Sequence, residues 1–248
     1  MRTLSPDQFQ TRLFEILAKK HHWATPHFNG NHTTKEHLYI HYHQDYVVYL
    51  RDFSVLLARI IGKNPPWDIR RNLAKTIYEE ETGGLSLGRP HQEQFLKMMS
   101  GLGFDRAGFR DVELIPSGRM YREWLDKVCQ EDDWLIGAIV LTIFVEGTVH
   151  DREDVLSPRP SKTQAEIEDL VMKHPLVQYH GLSPQCMDFI RVQHMVKPEN
   201  RQETYKMILH HTNDGREQQQ VLARLEEALR LWLRYQDGLA RACGLRQT

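Results

Sequence analysis

Cysteine is scarce in this chain. Cys129, Cys186 and Cys243 are scattered through 248 residues with no CxxC spacing. A dispersed, odd set excludes a disulfide framework and a cysteine zinc cage, and it fits a cytoplasmic setting. Charge of one sign is also missing: 32 Lys and Arg against 33 Asp and Glu leave a net charge of -1. Without a basic excess nothing argues for nucleic acid, and without a charge block nothing argues for an anionic membrane surface. No apolar run reaches the roughly 20 residues that a bilayer span requires. The glycine turn at Gly83, Gly84 and Gly88 is not a GxGxxG loop, and the residues before it read as helix rather than strand, which excludes a dinucleotide fingerprint. MRTLSPDQFQ reads as a helix start rather than a targeting leader. Period-two alternation, internal repeats and a composition shift marking a linker are absent. The expectation is one all-α domain, residues 1–248, of about eight helices.

What is present is helix punctuation. Ser5-Pro6-Asp7-Gln8 is a capping box with proline at the first helical position. Thr33 to Glu36 opens a long helix predicted to run to Ile61, closed by Gly62 and Pro65. His37, His41 and Asp45 share a face of it, which the spacing reads as solvated or hydrogen-bonding. Pro66-Trp67-Asp68 opens a helix to Glu79-Glu80-Glu81, and Pro90-His91 opens the next. Asp151 to Ser161 reads as a polar surface loop. Thr163, Ser183 and Asp214 start further helices, and Pro198 is expected to break one.

Two features carry chemistry. The first is WLIGAIVLTIFVEGTVH, Trp134 to His150. An uncharged apolar stretch of this length belongs inside a large helical domain. It delivers Glu146, which continues the helix on the face of Thr142, Ile143 and Ile139 and is expected to be at least partly buried. Such a carboxylate must be paired, protonated or metal-bound. The second is the acidic end of the helix before the glycine turn. Acids are disfavoured at a helix C-terminus by about 0.3–1 kcal/mol each. Glu80 and Glu81 follow the apolar face of Leu73 and Ile77, so a compensating cation is expected: a metal, Arg70 or Arg71. Glu81, His91, Glu146 and His194 then stand on separate helices. Two carboxylates and two imidazoles in a bundle can hold non-haem iron or manganese with positions open to dioxygen or substrate.

EEETGG with PHQEQFLKMMSGLG, an apolar helix ending in FVEG, SPQCMDFIRVQHMV and a closing EEALRLWLRYQDGL together resemble the haem-oxygenase-like helical fold. More narrowly they resemble its iron-containing redox branch, the diiron oxidases, with pyrroloquinoline-quinone synthase and the TenA thiaminases as relatives. HYHQDYVVYLRDFSVLLARI resembles the second helix of that fold, and the resemblance covers almost the whole chain. It implies an oxidoreductase acting on a small organic molecule in the bundle core with non-haem iron and dioxygen, and a homodimer. Glu81, His91 and Glu146 take three of the metal-ligand places and His194 the first of a His-x3-Asp-x2-His motif. The sequence departs there: Pro198 and Arg201 stand where the Asp and second His belong, with Glu199 adjacent as a stand-in, and neither proline nor arginine is an ordinary ligand. The departures leave an altered iron site, a metal-free oxidase of the pyrroloquinoline-quinone-synthase type using His150, His194 and Arg201, or a non-catalytic binding protein.

Overall fold

The computed structural model describes residues 3–195 and 198–247, without the side chains of Pro198 and Glu199; among them there is no β-strand. Helix α1 (Pro6–Leu17) starts at the Ser5–Gln8 capping box, with both reciprocal hydrogen bonds formed, and buries Phe9, Leu13, Phe14, Ile16 and Leu17. It packs on the last helix. Helix α2 (Lys35–Asp45) is capped by Thr34 and passes into a π-helical turn, Tyr46–Leu50. After a break at Arg51 and Asp52 the chain resumes as α3 (Phe53–Ile61). The predicted unbroken helix is therefore interrupted, and Arg122 is the cause. Its buried guanidinium donates to the Val47 carbonyl and to Asp52 Oδ2, both at 2.9 Å. A side chain that takes a carbonyl from the helical ladder bends the helix.

Helix α4 (Trp67–Thr82) ends where Gly83 adopts φ +60°. A Cβ there would meet the Arg89 carbonyl oxygen at 2.2 Å, so only glycine allows this reversal. The turn leads into α5 (His91–Gly101), set against α4. Helix α6 (Pro116–Glu131) packs on the 28-residue last helix and on α3. Helix α7 (Trp134–Ile139) continues as a second π turn, Val140–Val145. Ile139, Val140, Leu141, Ile143 and Phe144 are wholly buried, as expected of the most apolar stretch in the chain. Then come α8 (Asp151–Leu156), α9 (Gln164–Lys173), α10 (Asp188–Met195), α11 (Pro198–His210) and α12 (Gly215–Ala242).

One expectation is corrected here. Asp151 does not begin a surface loop: it is 3% exposed and opens α8. The expected break at Pro198 is found: α10 is described to Met195, and Pro198 starts α11, the position where its missing N–H is no loss.

Candidate active site

Glu146 stands at the end of the α7 π turn, its N–H donating to Leu141 O at 3.1 Å in the five-residue π register. Five carbonyls leave that end without helical partners further along, a region of partial negative charge. Two cations meet them. Lys20 Nζ, just past α1, donates to Phe144 O at 2.6 Å, Val145 O at 3.0 Å and Gly147 O at 2.8 Å. Arg201 of α11 donates to Thr142 O and, at 2.9 Å, to Ile143 O. The widened π turn exposes these carbonyls to the cations, and π turns recur where a functional side chain has to be re-aimed.

Arg201 is itself held by Asp151. Its Nε donates to Oδ2 at 2.9 Å and its Nη2 donates to the same oxygen. Tyr205 Oη adds a hydrogen bond to that oxygen at 2.8 Å, and the Thr148 N–H donates to Oδ1 at 2.9 Å. The carboxylate is 4% exposed at its side chain, the guanidinium 15%. Gly147 lies in the middle of this lock. A Cβ there would sit 2.0 Å from Ile143 O and 2.6 Å from Arg201 Nη2. Gly147→Ala is expected to cost about 1–3 kcal/mol, as overpacking does, read as a lower urea midpoint; an unchanged midpoint would show that the lock is loose.

The Glu146 carboxylate has no hydrogen-bond partner among the described residues. The residue as a whole is exposed, with protein packed around its carboxyl group. Burial pushes its pKa up to about 7; Arg201 and Lys20 pull it down, while Glu80 and Asp151 raise it further. Lys20 moves the other way: burial lowers it to about 8, against the opposing pull of Asp151 and Glu146.

The second half of the site comes from the α4–α5 reversal. His91 Nδ1 lies 3.0 Å from Glu80 Oε1 and Nε2 lies 3.2 Å from Glu79 Oε1. Glu79 is fixed by the Leu85 N–H at 2.7 Å and by the Ser86 hydroxyl. Burial would lower the His91 pKa, but Glu80 and then Glu79 outweigh it and raise it. The cation that compensates the acidic end of α4 is therefore His91. Arg70 bonds Asn64 instead, and Arg71 stacks over Trp67. Because the folded pKa is raised, the pairing contributes fully below pH ~6.5 and is lost as pH rises through the folded pKa. In metal-free protein His91→Gln should therefore lose more stability at pH 6 than at pH 9; equal losses at both would refute the pairing.

The placements differ from the sequence expectation residue by residue. Glu80, not Glu81, pairs with His91 and raises the Glu146 pKa; Glu81 is exposed and takes the Ser54 hydroxyl from α3. The stripe Leu73, Ile77, Glu80 was readable at helical spacing, but the choice between Glu80 and Glu81 was not. His194 lies by Lys162 and His174, whose pKa it lowers, and it is not among the groups that act on Glu146 or His91. His150 is exposed at the start of α8. Arg201 is committed to Asp151 and two carbonyls. The side chain of Glu199 lies outside the described residues. Lys20 and Asp151 were missed: a lone lysine after a helix and an aspartate at a loop start carry no pattern.

Among the described residues no three His, Cys, Asp or Glu side chains already converge as an ion site. The donor set nevertheless fits one ion chemically. Glu80 Oε1 and His91 Nδ1 are 3.0 Å apart, so, once the ring proton leaves, the pair can offer one oxygen and one nitrogen to an ion. Glu79 holds the other ring nitrogen, as carboxylates that orient metal-bound histidines do, and Glu146 is an unpaired carboxylate whose pKa Glu80 raises.

The model of a family described as iron-containing redox enzymes matches residues 40–233. Among solved structures, a TenA homolog from Pseudomonas syringae pv. tomato superposes with a TM-score of 0.69 at 9% identity, covering 96% of each chain. A domain of unknown function with a heme oxygenase-like fold from Shewanella denitrificans gives a TM-score of 0.65 at 17% identity, covering 96% of this chain and 91% of that one. No curated protein matches the sequence significantly. At those identities the two structures establish the fold, and the family match rests on most of the sequence. The chain has the haem-oxygenase-like all-α fold and belongs to the iron-containing redox enzyme family.

Proposed function

We propose that the protein is an oxidoreductase acting on a small organic molecule in the crevice between α4, α5 and α7, using dioxygen and a single non-haem iron held by Glu80, His91 and Glu146. The observation that carries this reading is the Glu146 carboxylate, without a hydrogen-bond partner among the described residues and close enough to Glu80 for that carboxylate to raise its pKa, an arrangement that repels itself unless a proton or a cation joins it. Iron, when bound, supplies the redox couple and an open position for dioxygen. The chain's own residues do the rest. Glu79 orients His91 through its second nitrogen. Lys20 and Arg201 hold the π-turn carbonyls and so fix where Glu146 emerges. Arg201 and Lys20 are positioning residues here, since their donors are spent on carbonyls and Asp151. The homodimer and the cytoplasmic setting expected from the sequence belong to the same proposal.

A second reading, a small-molecule-binding protein without a metal, is supported by the fact that both His91 nitrogens already face carboxylates. Anaerobic titration with Fe(II), followed by elemental analysis, separates the two. One tightly held iron per chain supports the enzyme, and none supports the second reading.

A further inference from the structure

A set of aromatic side chains outside the crevice has no role in what precedes. Tyr49, Tyr121 and Tyr235 form a triangle with each pair of ring centroids 6.0 Å apart. Trp124 stacks on Tyr121 at 6.2 Å. Tyr121 and Tyr235 are fully buried. The hydroxyl of Tyr121 and the indole N–H of Trp124 are buried without partners among the described residues. A core chosen for stability alone would place phenylalanine there, because a buried polar group left unpaired is costly. Tyr235 is the exception. Its hydroxyl donates to Asp45 Oδ1 at 2.6 Å, the length of a strong charge-assisted hydrogen bond. Asp45 Oδ2 in turn lies 3.3 Å from His41 Nε2, and both side chains are partly exposed. Tyr49 sits on the first π turn. Trp232, one turn before Tyr235 on α12, lies with its ring 5.9 Å from Lys20 Nζ, which caps the helix end carrying Glu146. The aromatic set thus reaches from beside the crevice to a carboxylate–imidazole pair near the surface.

We propose that Tyr235 is a redox-active tyrosine with Asp45 as its proton acceptor. Tyr235 gives one electron to a one-electron oxidant while its O–H bond breaks and the proton forms a new O–H bond on Asp45. A neutral phenoxyl radical and a neutral carboxylic acid remain, and re-reduction returns the proton. In the working protein a transition-metal ion held by Glu80, His91 and Glu146 would supply that oxidant, an assignment that rests on the reading above. The tyrosine chemistry itself does not. Tyr205 also donates to a carboxylate, Asp151, but protonating Asp151 would break its pair with Arg201. Tyr235 has no such competitor on the oxygen it uses.

The test uses full-length, metal-free protein and photo-excited tris(bipyridine)ruthenium(II) with persulfate as electron acceptor, followed by freeze-trapping and electron paramagnetic resonance. Tyr78 and Tyr179, the exposed tyrosines, are first changed to Phe to remove surface radicals. A trapped tyrosyl signal is expected that Tyr235→Phe removes and Tyr205→Phe leaves. Asp45→Asn should lower its yield by about tenfold, the scale of losing a hydrogen bond to a charged group. Ring-deuterated tyrosine must narrow the signal. A signal that survives Tyr235→Phe, or that disappears in Tyr205→Phe, overturns the proposal; so does the absence of any tyrosyl signal from the parent. Should Asp45→Asn unfold the protein, the Tyr235→Phe comparison decides alone, since it keeps the ring. Because no iron is present, failure here is distinct from failure to bind iron.

Discussion

Replacing Arg201 with alanine is expected to lower stability by about 3–5 kcal/mol, the range for breaking a buried ion pair from one side. In a chain of this size that corresponds to a fall in melting temperature of roughly 10 °C. The reason is what Arg201 leaves behind. Asp151 is 3% exposed, and without the guanidinium its charge keeps only the Tyr205 hydroxyl and the Thr148 N–H. The Thr142 and Ile143 carbonyls also lose their donor. The double variant Arg201→Met with Asp151→Asn removes both charges and should recover much of the loss, since the uncompensated charge is the larger cost. Thermal melts and urea titrations of the three proteins check this. A single variant as stable as the parent would mean that the pair is not formed. The second consequence is local: the Thr142 and Ile143 carbonyls lose their donor while Lys20 still holds Phe144, Val145 and Gly147, so on the proposed reading Arg201→Ala should weaken iron binding without touching a ligand.

Iron binding should divide the acidic residues of α4 sharply. Glu80→Gln, His91→Ala and Glu146→Gln are each expected to abolish stoichiometric binding of Fe(II). Glu79→Gln should weaken it about 10- to 100-fold, as loss of a carboxylate that orients a ligating histidine does. Glu81→Gln and His194→Ala should bind as the parent does, because Glu81 is turned to Ser54 and His194 to Lys162 and His174. Isothermal titration under anaerobic conditions measures all six. If Glu81→Gln or His194→Ala destroys binding and Glu80→Gln does not, the crevice described above is not the metal site. Binding should also tighten as pH rises toward and past 7, because the Glu146 carboxyl, raised to about 7 by burial, must lose its proton before it can serve as a ligand.

The sequence by itself determined the all-α class, the helix starts at Ser5 and Thr163, the start of α2 to within one residue (Thr34 caps it where the spacing pointed to Thr33), and the largely buried course of Leu135 to Phe144. Those are local or periodic properties: a capping residue satisfies its own first turn, and apolar spacing identifies a buried stripe whatever it packs against. Tertiary structure alone decided which of two adjacent glutamates enters the crevice. Helical spacing puts Glu80 and Glu81 on neighbouring sides of one stripe, and the choice fell to Ser54 on α3 and His91 beyond the glycine turn. It also decided the fate of Asp151, Lys20 and Arg201. Asp151 and Arg201 find each other across 50 residues, and the Lys20 ammonium finds the Gly147 carbonyl across 127. The free energy of such contacts lies in a buried geometry that only the packed chain creates, so nothing in the spacing along the sequence could carry it.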